Sequence, residues 1–119
     1  MSTQQIATRL AELCRKGQFE QAQEELFAQD AVSIEPDDSA GFPKETKGLG
    51  AIKEKGRKWS QMVEQVHGCE ASTPLIAGNA IAMTLAMDVT MKGRGRAKIS
   101  EVCVYEVKND KIASEQFFM

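Results

Sequence analysis

Apolar residues recur at helical spacing in the first part of the chain. The first stripe contains Ile6, Leu10, Leu13 and Cys14. Ser2 and Gln5 precede it with the spacing of a capping box, and Gly17 follows it. The second stripe contains Phe19, Ala22, Leu26 and Phe27. A third helix, with a less regular apolar face that Gly56 weakens, is predicted over residues 50–65.

Strand patterns dominate the rest of the chain. A short strand is predicted over residues 31–35, ended by Pro36, which has no amide proton to donate. Residues 37–48 predict a long loop that could serve as a lid or binding loop. After Val66, three long strand-like runs are separated by turn signals at residues 78–79, 92–95 and 109–110. Helices followed by strands indicate an α+β fold with an antiparallel meander.

The alternation of side chains predicts two different faces for this sheet. A two-residue turn at Asn109-Asp110 would pair Tyr105 with Ser114 and Cys103 with Gln116. A four-residue tip at 92–95 would add the preceding strand, although an error of one residue at the tip swaps its faces. The predicted pocket face then carries Asp88, Glu101, Tyr105, Gln116 and several Ala and Thr residues. The predicted opposite face carries Val102, Val104, Phe117, Met83, Leu85 and Met87.

Both predicted faces contain apolar residues, and this bears on assembly. An antiparallel sheet normally leaves one face to water, so a sheet that is apolar on both sides needs two covers. Three short helices can cover one face. We therefore expect a second copy of the chain to cover the face with Val102 and Val104, which makes the protein a homodimer.

Length and composition narrow the class of protein. The 119 residues fit one domain, 1–119, with 42% hydrophobic and 27% charged residues. The net charge of -2, without a basic face interleaved with aromatic residues, argues against a nucleic-acid partner. No apolar run reaches membrane-spanning length, so no membrane partner is expected. Three widely spaced cysteines and no signal peptide indicate reduced thiols in the cytoplasm.

The order of the elements resembles a known superfamily over essentially the whole chain. The segments that carry the resemblance are AVSIEP, KGLGAIKEKGRKW and VYEVKNDKIASEQFF. Together they are similar to the SnoaL-like branch of the nuclear transport factor 2-like superfamily, which includes ketosteroid isomerases, polyketide cyclases, scytalone dehydratase and non-catalytic domains. The resemblance implies a cone-shaped domain in which three N-terminal helices pack on a curved, mostly antiparallel sheet around a small-molecule pocket.

One functional position transfers from the family, and two do not. Ketosteroid isomerases place a general base, an Asp, just before a Pro at the end of the first strand, where this chain has Glu35-Pro36. The oxyanion-binding Tyr of those enzymes corresponds to Leu10, and their protonated Asp corresponds approximately to Cys103, with Glu101 on the same face. Steroid isomerisation by the family's route is therefore in doubt.

Two carboxylates are the candidate catalytic residues. Glu35 is predicted to be a general base, or else a strand-end carboxylate in water. Glu101 is predicted to be a buried acid that donates a hydrogen bond to an enolate, or else a partner in a salt bridge. The predicted ligand-binding residues are Trp59, His67, Asp88, Tyr105 and Gln116. The alternative is core packing for Trp59 and Tyr105, and a salt bridge for Asp88.

Two functions remain open at this level. The first is an enzyme that isomerises, cyclises or dehydrates a small, fairly apolar carbonyl compound without a cofactor. The second is a ligand-binding or association module that kept the fold and lost the catalysis. His67 is the only histidine and has no second metal ligand at suitable spacing, so no metal is expected. No Gly-rich phosphate loop is present either.

Overall fold

A computed structural model describes all residues, 1–119, as three helices and seven strands. The helices are α1 (Thr3–Arg15), α2 (Phe19–Leu26) and α3 (Leu49–Met62). The strands are β1 (Phe27–Ile34), β2 (Glu45–Lys47), β3 (Val63–Ala71), β4 (Leu75–Ala77), β5 (Ala80–Met91), β6 (Gly95–Lys108) and β7 (Lys111–Phe118). The first strand begins earlier than the sequence predicted, and α3 ends earlier.

The ends of α1 follow the sequence signals. The side chain of Ser2 accepts a hydrogen bond from the backbone N–H of Gln5, and the Gln5 side chain accepts one from the Ser2 N–H, which completes a capping box. Gly17 follows the helix with a φ of 72°, a conformation that glycine adopts without strain. The buried face of α1 consists of Ile6, Ala7, Leu10, Ala11, Leu13 and Cys14.

The strands form one sheet in the order β2-β1-β7-β6-β5-β3, with β4 paired to β5 beyond this path. Strands β6 and β7 are antiparallel, as are all other pairs except β1 and β7, which are parallel. The three helices cover one side of the curved sheet. The predicted α+β fold, with three helices on a mostly antiparallel sheet, is confirmed.

The hairpin between β6 and β7 corrects part of the face assignment. Asn109 and Asp110 form the predicted two-residue turn, with Lys108 opposite Lys111. The register then shifts within β7, because Glu106 pairs with Ser114 while Val107 pairs with Ile112, which leaves Ala113 as a bulge. Tyr105 therefore lies opposite Glu115 rather than Ser114, and Cys103 lies opposite Phe117 rather than Gln116.

The tip between β5 and β6 is one residue shorter than predicted. Met91 pairs with Gly95, so the loop contains three residues, and a change of one residue moves every side chain of β5 to the other face. Met83 lies opposite Cys103 and Leu85 opposite Glu101, both beneath the helices. Asp88 pairs with Lys98 and consequently lies on the outer face, so its predicted position on the same face as Tyr105 is wrong.

The apolar surface predicted for a dimer interface also changes. Met83, Leu85 and Phe117 belong to the helix-covered core or pack against it, and so does Met87. The outer face keeps Val102, which is 41% exposed, and gains Phe118, which is 48% exposed. An apolar outer patch therefore exists, but it is smaller than expected and is built from β6, β7 and β4.

Asn109 provides a test of the hairpin geometry. Its φ of 51° lies in the left-handed region, where a residue with a Cβ atom is strained. Asn tolerates this region better than Ala because its short polar side chain can form a local hydrogen bond. Asn109→Ala should lower the free energy of unfolding, measured by urea titration, by about 1 kcal/mol, whereas Asn109→Gly should not. Lys108→Ala, at the neighbouring exposed strand position, is the control. Equal stability of the Ala and Gly variants would contradict the assigned turn.

Candidate functional site

The end of β1 and the middle of α3 meet in an ion pair. Glu35 directly follows β1, and its backbone N–H donates to the carbonyl of Lys44 at 2.7 Å. Its carboxylate lies 3.0 Å from Nζ of Lys55. The Lys55 side chain is 13% exposed and that of Glu35 is 24% exposed. The pair is therefore largely sheltered, but both side chains keep a small exposed fraction.

The backbone fixes where Lys55 lies. Gly48 precedes α3 with a φ of 93°, and its N–H donates to the carbonyl of Ala31 on β1 at 2.8 Å. Ile52 is fully buried, and Lys55 lies three residues further along α3 on the same side of the helix. This anchor holds the start of α3 against β1 and directs Lys55 towards the residues at the end of that strand.

A chain of hydrogen bonds continues from Lys55 into the core. Nζ of Lys55 donates to Oγ of Ser33 at 2.7 Å, and Ser33 donates in turn to Oε1 of Glu115 at 2.8 Å. Ser33 is fully buried, and Glu115 is 5% exposed. Ser33 lies directly opposite Glu115 in the parallel pairing of β1 and β7, so both side chains project from the same face of the sheet. Lys55 thus partners Glu35 directly and Glu115 through Ser33.

A buried carboxyl group resists ionisation, and Glu115 follows this rule. Burial raises its pKa to about 7, assisted by the negative charges of Glu35 and Glu101. The hydrogen bond from Ser33 and the positive charge of Lys55 act in the opposite direction. Glu115 therefore holds its proton well above the pH at which an ordinary glutamate loses it.

Glu101 is the third carboxyl group on the helix-covered face. It is half-buried on β6, and the Cys103 thiol lies 3.9 Å from its Oε1. Burial raises its pKa to about 7, and the negative charge of Glu35 is the second cause. The two carboxylates singled out in the sequence therefore influence each other, because protonation of Glu101 becomes easier while Glu35 is charged.

Aromatic and sulfur groups line the same face. The centroid of the Phe117 ring lies 5.9 Å from Nζ of Lys55, within the range of a cation–π contact. Tyr105 is buried beside Cys103, and its pKa is raised well above the usual value, mainly by burial. Burial likewise raises the pKa of the Cys103 thiol. These neighbours make the surroundings of the carboxyl groups apolar.

Three of the predicted ligand-binding residues lie away from this cluster. Asp88 forms a paired contact with exposed Arg96, at 2.9 and 2.8 Å, on the outer face. Gln116 pairs with Val104 and shares that outer face. His67 is exposed and lies 2.6 Å from the hydroxyl of Thr90. Trp59 is half-buried on α3, one turn beyond Lys55.

Three residues of the cluster were not predicted from the sequence. Lys55 lies in the segment KGLGAIKEKGRKW, which was part of the family resemblance. Lysines on a helix usually face water, so nothing in the sequence indicated that this one belongs to a site. Ser33 lies two residues before Glu35 at the end of β1, and this period of two was a usable signal that both side chains lie on one face. Glu115 lies on the helix-covered face only because of the bulge at Ala113, which the pairing predicted from the Asn109-Asp110 turn did not include.

Two shallow depressions lie elsewhere on the sheet. One, of about 260 Å³, lies on the outer face and is lined by Glu70, Asp88, Lys98 and Ser100 among others. The other is apolar and lies beside β4, with Leu75, Ile76 and Val104 in its wall.

No group of three or more His, Cys, Asp and Glu side chains is arranged to hold a metal ion. No helix has the length and apolar character needed to cross a membrane.

Comparison with known proteins assigns the family. The sequence matches the SnoaL-like domain over residues 1–119. The chain therefore belongs to the SnoaL-like domain family, as its segment order indicated. No protein of curated function matches the sequence.

Solved structures agree with this assignment. A protein from Mesorhizobium loti, provisionally named a SnoaL-like polyketide cyclase with carbohydrate phosphatase in brackets, is 32% identical, with all of both chains covered and a TM-score of 0.91. A protein from Catenulispora acidiphila with a ketosteroid isomerase-like fold, in complex with trimethylamine, is 18% identical, with 96% and 84% covered and a TM-score of 0.74. TerC, co-crystallised with polyporic acid, is 14% identical, with 99% and 92% covered and a TM-score of 0.78. The last two establish similarity of fold alone.

The raised pKa of Glu115 predicts how stability changes with pH. The folded protein keeps a proton that the unfolded chain releases at its ordinary pKa of 4.5, so the free energy of unfolding should fall as pH rises from about 4.5 to about 7. Glu115→Gln should remove about 2–3 kcal/mol of this fall, measured by urea titration at several pH values. Glu64→Gln, at an exposed position, is the control. Parallel pH profiles for wild type and Glu115→Gln would contradict the buried, protonated state.

Proposed function

We propose that the protein catalyses cofactor-free proton transfer on a small, fairly apolar carbonyl compound, in an isomerisation, cyclisation or dehydration. Glu35 is the general base, and Glu101 is the acid or hydrogen-bond donor. The observation that carries this proposal is the pair of unequal carboxyl groups on one apolar, helix-covered face. Glu35 contacts the Lys55 ammonium group, whereas the pKa of Glu101 is raised to about 7.

The chemistry follows from the difference between the two groups. Glu35 takes a proton from the carbon next to the substrate carbonyl, and the electron pair of that C–H bond moves into an enolate. Glu101, with its proton retained near neutral pH, donates a hydrogen bond or a proton to the reacting oxygen or carbon. Phe117 and the surrounding apolar side chains favour a substrate with an apolar body.

The named relatives are compatible with this class of ligand. The Mesorhizobium loti protein carries the description of a polyketide cyclase, and two structures of the same fold hold small molecules, trimethylamine and polyporic acid.

We place the protein in the reducing cytoplasm. Its three cysteines are free, which agrees with this proposal.

One observation favours the alternative function, a non-catalytic ligand-binding or association module. The positions that correspond to the oxyanion donors of ketosteroid isomerases carry Leu10 and Cys103, and both are buried in the core. A thiol whose pKa is raised by burial is a poor hydrogen-bond donor to an enolate. Activity measurements on the carboxylate variants distinguish the two functions.

The test of the base is hydrogen–deuterium exchange at carbon. Small carbonyl compounds that raise the melting temperature of the protein would be incubated with it in heavy water, and exchange of their α-protons followed by NMR. Glu35→Gln should slow this exchange by about 100-fold or more while the affinity for the compound stays nearly unchanged. Glu101→Gln should be milder, because an amide still donates. Undiminished exchange with Glu35→Gln would refute the assignment of the base.

We also propose that the protein is a homodimer joined through the outer face of the sheet. Val102 and Phe118 are exposed there, together with Leu75 on β4, and no helix of the chain covers them. Light scattering should give twice the chain mass of 13.1 kDa. Val102→Arg should shift the protein towards the monomer, because it places a charge in an apolar contact. Gln29→Arg, at an exposed position of β1, is the control, and a monomeric wild type at micromolar concentration would end this proposal.

A further inference from the structure

An enolate formed at Glu35 is stabilised by positive or hydrogen-bonding groups around its oxygen, and a cation beside the base would act together with Glu101. Lys55 is the only cation within hydrogen-bonding distance of Glu35. Ser33 is fully buried, and its hydroxyl proton is already donated to Glu115. Of the groups in contact with the base, the ammonium group of Lys55 is therefore the one that can act on a ligand.

The hydrogen bonds of Lys55 leave it one proton for a ligand. An ammonium group has three N–H donors, and two of those of Lys55 go to Ser33 at 2.7 Å and Glu35 at 3.0 Å. No protein group accepts the third. The chain from Lys55 through Ser33 to Glu115 also fixes the position of Nζ, so a ligand meets a donor that is already oriented.

The charge on Glu35 changes during the proposed proton transfer, and this gives Lys55 a role. Before the transfer, the positive charge of Lys55 is balanced by the carboxylate of Glu35. After the transfer, Glu35 is a neutral acid, and the negative charge lies on the enolate oxygen. The attraction that held the carboxylate then acts on the enolate, so Lys55 favours the intermediate over the bound substrate.

We infer that Lys55 is a catalytic residue whose ammonium group binds the oxyanion of the enolate intermediate, and that the site accordingly prefers oxyanions of apolar molecules once Glu35 is neutral. This inference rests on the proposed function of Glu35. It assigns to Lys55 a partner that alternates between the base and the ligand. A lysine in a purely structural salt bridge would instead keep the same partner throughout the reaction.

The test uses para-nitrophenol, whose phenolate resembles an enolate and is distinguished from the neutral phenol by its absorbance. Glu35→Gln imitates the neutral base, so this variant should bind the phenolate at least about tenfold more tightly than the wild type. Lys55→Met, added to Glu35→Gln, should abolish the gain, while Lys55→Arg in the same background should retain much of it. Lys58→Met, an exposed lysine on the same helix, is the matched control and should change nothing.

The outcomes separate this inference from the proposed function. If Lys55→Met leaves the phenolate affinity of Glu35→Gln unchanged, or if Glu35→Gln does not bind the phenolate, the role of Lys55 is refuted whatever the exchange assay shows. If the phenolate results hold but Glu35→Gln leaves α-proton exchange undiminished, the base is wrong and the oxyanion site stands. Lys55→Gln, which keeps a polar side chain over Ser33, replaces Lys55→Met if the latter does not fold, and it should lose the same affinity.

Discussion

The face of the sheet beneath the helices contains three carboxyl groups, and their mutual repulsion is the constraint to which the surrounding structure responds. One ammonium group, on Lys55, offsets it by contacting Glu35 directly and Glu115 through the hydroxyl of Ser33. The other two carboxyl groups meet the constraint by keeping a proton near neutral pH. The cluster therefore contains one charged pair, Glu35 with Lys55, and two carboxyl groups that need no counter-ion. Burying all three as carboxylates with a single cation would be unfavourable.

The position of each member of this cluster depends on backbone geometry rather than on side-chain preference. The bulge at Ala113 turns Glu115 and Phe117 towards the helices, and the parallel pairing of β7 with β1 brings Glu115 opposite Ser33. The contact between Gly48 and Ala31 fixes the start of α3 and hence the place of Lys55. The cluster is thus built from residues of β1, α3, β6 and β7, which are distant in the sequence. The end of β1, the bulge in β7 and the start of α3 bring them together.

The sequence was sufficient for the fold and for one part of the site. Apolar periodicity, a capping box and the Asn109-Asp110 turn predicted the three helices and the final hairpin. Alternation placed Glu101 on the helix-covered face with Tyr105, and the Pro after Glu35 marked the end of β1. A bulge and a three-residue tip leave no clear trace in the sequence, and each moves a strand by one residue. Because side chains alternate between the two faces of a sheet, a shift of one residue moves a whole strand to the other face. Asp88 and Gln116 therefore lie on the outer face, and Glu115 lies on the helix-covered face.

The place of β7 within the sheet has a consequence for how the chain folds during synthesis. β7 follows the other six strands in the sequence, yet it lies between β1 and β6 and is the only long neighbour of β1. Until residues 111–118 have left the ribosome, β1 can pair only with the three residues of β2. The helices and the β3–β6 meander can form earlier, but Ser33 and Glu35 reach their final surroundings only at the end. The cluster is thus complete only once β7 has joined the sheet, and a nascent chain lacking β7 would leave the backbone edge of β6 unpaired and open to other chains.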